Sequence, residues 1–103
     1  MHTNTELRDA ALVAADIIAD LDRLGVHVAT VRLGGFGSDI TIQVGSAFDR
    51  AVVAAALDLL TVGEPYGDAA RPMLENTGTV THDLGEFRVA VYGPASDRGA
   101  VPA

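Results

Sequence analysis

The sequence predicts an α+β fold, a two-layer sandwich in which two helices cover one face of a four-stranded antiparallel sheet. Apolar residues recur at three- and four-residue intervals in two segments, which is the period of a helix. They alternate with polar residues in four other segments, which is the period of a strand. The resulting order is α-β-β-α-β-β, and placing both helices on one sheet face is the simplest arrangement that buries every stripe.

The first helix is predicted over residues 5–24. Its core stripe comprises apolar residues at helical spacing, namely Leu7, Ala11, Ala14, Ile18 and Leu21. Thr3 followed by Glu6 is typical of a capping box at the start of a helix. Gly25 stands where a left-handed residue commonly ends one.

Two strands, over residues 26–33 and 39–44, are predicted to form a hairpin around the glycine-rich turn 34–37. Centring the hairpin on this turn places Val31 opposite Ile40 on an apolar face. Arg32 then lies opposite Asp39 on a largely polar face, and opposite charges stabilise such cross-strand pairs. The sheet is therefore expected to have one covered and one open face.

Ser46 is predicted to cap a second helix that runs to a stop at Gly63. Its core stripe is predicted to comprise Phe48, Val52, Ala55 and Leu59. Arg50 is expected on the polar strip opposite this stripe. Helical spacing thus predicts which face of the second helix contacts the sheet.

Residues 63–76 contain two prolines and two glycines and are predicted to form an irregular loop. A second hairpin follows, with strands over 77–82 and 86–92 and with Phe87, Val89 and Val91 facing inward. Residues 1–93 are expected to form a single domain. Residues 94–103 are expected to form a flexible C-terminal tail.

A circularly permuted ferredoxin-like sandwich satisfies this order if the two hairpins meet through their second strands. His27 and His82 would then lie on opposite edges of the sheet, roughly 14 Å apart across three strand spacings, which is too far to share a metal. If the hairpins met through their first strands instead, the two histidines would be neighbours. The sequence is compatible with both strand orders.

Composition excludes several classes of protein. The chain has 103 residues, no cysteine and a net charge of −7, with 49% hydrophobic residues. Without cysteine there is no disulfide, thiolate zinc site or thiol nucleophile. No apolar run approaches the roughly 20 residues of a membrane-spanning helix, so a cytoplasmic protein without a membrane partner is expected. An abundance of alanine, valine, aspartate and arginine without any lysine is typical of a GC-rich genome and suggests a bacterial or phage origin.

No catalytic, cofactor-binding or metal-binding residue is predicted, and no cofactor is expected. The 34–37 turn leads into a strand, whereas phosphate-binding loops lead into the N-terminus of a helix. Ser38 lacks the strand-to-helix elbow of serine hydrolases, and Ser46 is explained as a helix cap. A role as an enzyme or a small-ligand-binding domain is the third and least favoured expectation, and the 63–76 loop would then be the expected site.

Arg32, Arg88 and Tyr92 are candidate contacts on the open sheet face. Sheet-face RNA readers combine stacking aromatic residues with a basic field, whereas this chain is strongly acidic, so no direct nucleic-acid partner is expected. The acidity suggests an alternative function. The chain would then be an inhibitor or DNA mimic directed at a basic nucleic-acid-binding protein, with acidic residues along one side of the first helix.

The apolar excess favours a non-enzymatic binding or accessory protein that associates with itself or with a protein partner. Four strands and two helices cannot bury every apolar position in a two-layer monomer, and the excess is greatest on the helices. Homo-oligomerisation through the helical layer is therefore predicted, with edge-strand pairing as the alternative. The candidate partner contacts are Leu12, Val13, Val53, Leu57 and the turn residue Phe36.

Overall fold

The structure is a computed structural model that describes residues 3–35 and 37–97. Phe36, one of the candidate partner contacts, and residues 98–103 of the expected tail lie outside the described residues. The elements in chain order are α1 (Asn4–Arg23), β1 (Val28–Leu33), β2 (Ile40–Val44), α2 (Ala47–Leu57), β3 (Thr61–Val62), β4 (Met73–His82) and β5 (Gly85–Pro94).

The α+β class and the two helices are confirmed, but the prediction of four antiparallel strands is wrong. The sheet has five strands in the order β1-β2-β5-β4-β3. The hairpins do meet through their second strands, yet β2 and β5 run parallel. A permuted ferredoxin-like sandwich is antiparallel throughout, so that topology is excluded.

The short strand β3 is the physical reason for the parallel pair. Asp58 ends α2 in the left-handed conformation, with φ 55°, and the chain turns directly into β3 instead of continuing as helix to Gly63. β3 pairs antiparallel with β4, and β4 pairs antiparallel with β5. The added strand reverses the chain once more than predicted, which inverts the direction of the second hairpin.

The first hairpin pairs two residues further along than predicted and keeps its predicted faces only from Thr30 onward. The bulge between Val28 and Thr30 turns Val28 toward Val44 and the core and leaves Ala29 exposed, the reverse of the faces that alternation from Val31 predicts. Val31 lies opposite Ile42, and Leu33 lies opposite Ile40. The loop is longer than the predicted tight turn, and it is closed by the Gly34 N–H, which donates to the Asp39 carbonyl at 2.8 Å. A two-residue shift preserves the alternation of faces, whereas a one-residue shift would exchange them.

Both helices lie on the same face of the sheet. His82 and Asn76 of β4 project to one side, where His82 contacts Asp16 of α1 and Asn76 contacts Arg50 of α2. The core between the layers is apolar. Its fully buried side chains are Val13, Leu21, Ile40, Ile42, Val44, Val53, Leu59, Val89 and Val91.

The helix α1 begins as predicted, with the Thr3–Glu6 capping box confirmed, but it is rotated about its axis. Its buried residues are Ala10, Val13, Ala14, Ile17 and Leu21. Ala11 and Ile18, predicted in the core stripe, are exposed, and Val13 takes their place inside. This rotation also brings Asp16 against His82, with 2.8 Å between the carboxylate and Nε2.

The helix α2 is rotated as well. Phe48 is 71% exposed, whereas Arg50 and Val53 are buried. The predicted polar strip is therefore wrong at Arg50. Its guanidinium faces the sheet because it donates to the Asn76 side chain and to the carbonyls of Pro94 and Ala95.

The expected tail starts inside the fold. Pro94 is the last residue of β5, and Ala95 N–H donates to the Pro72 carbonyl. The Asp97 carboxylate accepts from the backbone N–H groups of Ala47 and Phe48, at 2.6 and 3.0 Å. The chain thus contributes to packing and capping up to Asp97.

Candidate functional site

A continuous apolar stripe lies on the outer side of α1. It consists of Ala11, Leu12, Ala15, Ile18 and Ala19, all exposed, and we call it the α1 stripe. At about 100° per residue, these five positions fall within a sector of about 120° on the side away from the core. Leu12 is 50% exposed and Ile18 is 38% exposed. The helix therefore presents apolar surface both to the core and to solvent.

The polar residues of α1 are concentrated on one flank. Asp9, Asp16 and Asp20 lie about a third of a turn from the centre of the α1 stripe. Within the sector of the stripe, the charged residues are Arg8 at its N-terminal end and Asp22 at its C-terminal end. A surface helix of a monomer normally turns its polar face outward, so this distribution is unusual.

The candidate partner contacts separate into exposed and buried groups. Leu12 is on the surface, and Leu57 is partly buried against the core. Val13 and Val53 have no exposed surface, so placing them on the solvent side of the helices was wrong. The rotation of both helices is the reason. Ile18 was predicted in the core stripe, whereas it is exposed on the flank of the α1 stripe opposite Leu12.

Arg32, Arg88 and Tyr92 all lie on the face of the sheet that the helices leave open. Arg32 lies opposite Thr41, and Thr41 lies opposite Ala90, which stands between Arg88 and Tyr92 on β5. Arg88 Nε donates to the Gly37 carbonyl at 3.1 Å. The Tyr92 hydroxyl donates to Gln43 Oε1 at 3.1 Å. Two of the three side chains are thus engaged within the domain.

A second tyrosine borders this open face. Tyr66 pairs with Met73 through the backbone and is partly exposed. Burial raises the pKa of the Tyr66 phenol above its usual value of 10.0, and Glu75 and Tyr92 act in the same direction. The phenol is therefore neutral near pH 7 and remains a hydrogen-bond donor.

An acidic groove of about 370 Å³ lies where the start of α1 meets the end of β1, the start of β2 and the start of β5. Its lining includes four carboxylate residues, Glu6, Asp9, Asp39 and Glu86, above the apolar Leu7, Ala10, Leu84 and Phe87. Part of this acidity has a structural role. The Asp39 carboxylate accepts from the Arg88 backbone N–H at 2.8 Å, and the Glu6 side chain accepts from the Thr3 N–H in the capping box.

His82 is held between the layers. Its Nδ1 accepts from the Leu84 backbone N–H at 3.1 Å, so the proton resides on Nε2, which donates to Asp16. His27 is exposed just before β1. Within residues 3–35 and 37–97, no three histidine or carboxylate side chains are grouped closely enough to hold a metal. Neither helix of this part of the chain is long and apolar enough to cross a membrane.

Comparison of the chain with models of protein families, with curated proteins and with solved structures finds no match. The candidate surfaces above are therefore defined by the geometry and chemistry of this chain.

Proposed function

We propose that this chain is a small non-enzymatic binding protein that associates with itself through its helical layer. The contact surface is the α1 stripe. The single observation that carries this proposal is the contiguity of five exposed apolar residues on a helix whose opposite face is already packed in the core. Single exposed aliphatic side chains are common on monomers, but a continuous apolar surface marks an interaction site.

The edge strands of the sheet are poorly suited to pairing with a second chain, which favours association through the helices instead. β1 contains a bulge between Val28 and Thr30 and carries the exposed Arg32. Bulges and charged side chains are devices that discourage the pairing of edge strands. The other edge strand, β3, is two residues long. Neither β1 nor β3 is thus the long flat edge strand that pairing between chains requires.

The acidic groove supports the alternative function, an acidic inhibitor or DNA mimic directed at a basic protein. Its carboxylates also cap α1 and hold β2 against β5, so domain stability accounts for part of them. Binding to a basic protein that weakens steeply with salt would favour this alternative. The α1 stripe has no comparable role within the domain, and we therefore favour self-association.

Leu12→Asp is expected to abolish association while leaving the fold intact. The side chain is 50% exposed, so the substitution changes the free energy of unfolding by no more than about 0.5 kcal/mol, as is usual at the surface. In an apolar contact it places a carboxylate where no partner can neutralise it. Light scattering at about 100 μM protein would measure the loss of the larger species.

The matched control is Leu60→Asp. Leu60 is an exposed leucine, 79% accessible, that lies outside the α1 stripe. This variant is expected to keep the mass of the unsubstituted protein. Equal masses for Leu12→Asp and the unsubstituted protein, or equal losses in both variants, would contradict the assignment of the α1 stripe.

A further inference from the structure

The α1 stripe is symmetric about Ala15. Leu12 and Ile18 lie three residues to either side of it, and Ala11 and Ala19 lie four residues to either side. Arg8 and Asp22 lie seven residues to either side. We propose that a second copy of the chain packs its α1 antiparallel against this face, with a two-fold axis passing next to Ala15. This inference rests on the proposed self-association and adds the identity and orientation of the partner.

An antiparallel pair with this axis places residues that lie equally far from Ala15 on opposite sides at the same level. The axis also sets each flank of the stripe against the same flank of the partner, so Leu12 packs against the partner's Ala19 and Ile18 packs against the partner's Ala11. Ala15 contacts the partner's Ala15 at the crossing point. Alanine at the centre permits helix axes to approach to about 8 Å, the short end of the normal range.

The charges at the ends of the stripe determine the orientation. Arg8 and Asp22 are 14 residues apart, which is about 21 Å along the helix. In an antiparallel pair, Arg8 meets the partner's Asp22 at both ends. In a parallel pair, each charge would meet a copy of itself, and like charges across an interface disfavour that arrangement. The stripe is therefore complementary to itself in the antiparallel orientation.

Both charged side chains are exposed at the surface where this contact would form. Arg8 is exposed and touches Asp9, its neighbour in the chain, at 3.3 Å. Asp22 is exposed and takes part in none of the side-chain hydrogen bonds or ion pairs among residues 3–35 and 37–97. The acidic flank with Asp16 and Asp20 points away from the contact, so two chains of charge −7 can approach along this side.

Disulfide trapping tests the position of the axis. The chain has no cysteine, so Ala15→Cys introduces a single thiol. At the proposed axis, the Cα atoms of the two introduced cysteines lie within the roughly 4.4–6.8 Å that a disulfide spans. We expect covalent dimer to form under mild oxidation about tenfold faster than for Ala51→Cys, an exposed alanine on α2, because association raises the local thiol concentration.

Charge reversal tests the orientation. Arg8→Asp and Asp22→Arg, each alone, are expected to weaken dimerisation about three- to thirtyfold, because each replaces two exposed ion pairs with repulsion. The double variant is expected to restore the dissociation constant of the unsubstituted protein, since the pairs re-form with their signs exchanged. Analytical ultracentrifugation measures the constants, and circular dichroism verifies that each variant is folded.

The outcomes separate this inference from the proposed function. If the unsubstituted protein dimerises but the double variant stays as weak as the singles, the antiparallel contact is overturned and self-association stands. Equal crosslinking rates for Ala15→Cys and Ala51→Cys in a dimeric protein overturn the position of the axis. If the unsubstituted protein is monomeric, the proposed function and this inference fall together.

Discussion

Arg50 is a buried cation whose contacts are neutral oxygen atoms. It is 8% exposed, and its guanidinium donates to Asn76 Oδ1 at 2.7 Å and to the carbonyls of Pro94 and Ala95 at 3.1 and 3.3 Å. Burying a charge is costly unless its hydrogen-bonding groups are satisfied. Arg50 therefore joins α2 to β4 and to the end of β5, and it fixes the rotation of the helix.

Asn76→Ala is expected to destabilise the domain by about 1–3 kcal/mol, because it leaves a buried guanidinium donor without its acceptor. Asn76 is itself 7% exposed, so water does not readily replace the lost oxygen. Urea unfolding followed by circular dichroism would measure the change. Thr79→Ala, at an exposed position of the same strand, is the control. Equal stability of the two variants would show that Arg50 does not depend on Asn76.

At the scale of elements, Gly78 lets the connection from α2 to β3 cross closely over β4. A Cβ atom at this position would lie 2.9 Å from the Asp58 carbonyl oxygen and 3.0 Å from the Leu59 Cα. Both are backbone atoms, which cannot move aside as the end of a flexible side chain does. The glycine therefore permits the turn that reverses the chain into β3.

Gly78→Ala is accordingly expected to cost about 1–3 kcal/mol, the usual range for overpacking a tight contact. Thermal unfolding would measure the loss. Gly45→Ala is the matched control, because a Cβ atom at Gly45 meets no atom within 4 Å. If Gly78→Ala were as stable as Gly45→Ala, the close crossing over β4 would be contradicted.

The N-terminus of α2 is capped from two directions. The Ser46 side chain accepts from Asp49 N–H at 3.0 Å, and Asp97, 50 residues away from Ala47, accepts from Ala47 N–H at 2.6 Å. A carboxylate at this end also interacts favourably with the helix dipole. The segment after β5 is thereby fastened to the helical layer.

Asp97→Ala is expected to lower the free energy of unfolding by about 0.5–2 kcal/mol, as for other lost helix caps. Chemical denaturation would measure it, with the exposed Ser96→Ala as the neighbouring control. An unchanged stability of Asp97→Ala would indicate that the segment contributes nothing to the cap of α2.

Local signals in the sequence predicted the elements better than their orientation. The Thr3–Glu6 box placed the start of α1 within one residue, and alternation placed Phe87, Val89 and Val91 inside. The strand β3 was missed because two residues are too few to show a period. Both helix rotations were mispredicted because helices rich in alanine and valine have several faces of similar hydrophobicity. Tertiary packing determines which of these faces is buried.

The same ambiguity explains what could be predicted of the candidate site. The apolar excess and Leu12 were visible in the sequence, and they indicated an interface on the helical layer. Val13 and Ile18 exchanged places because both lie on apolar sides of α1, and packing in the core decides which side is buried. The α1 stripe could therefore be defined only once the buried face of α1 was known.

At the scale of the whole molecule, charge and apolar surface are distributed over different sides. The acidic flank of α1 and the groove carry carboxylates, and the open sheet face carries Arg32 and Arg88 among threonines. The α1 stripe is flanked by one charge of each sign, Arg8 and Asp22, which cancel. A single helix pair lies at the small end of interface sizes, below about 1,200 Å², so a dimer in exchange with monomer is expected.

Sedimentation equilibrium of the unsubstituted protein is the direct test of self-association through α1. Over concentrations from about 10 to about 200 μM, which bracket dissociation constants typical of weak complexes, the average mass is expected to rise from near 10.6 kDa toward twice that value. Leu12→Asp is expected to remain at the monomer mass throughout. A mass of 10.6 kDa for the unsubstituted protein at every concentration would contradict self-association through α1.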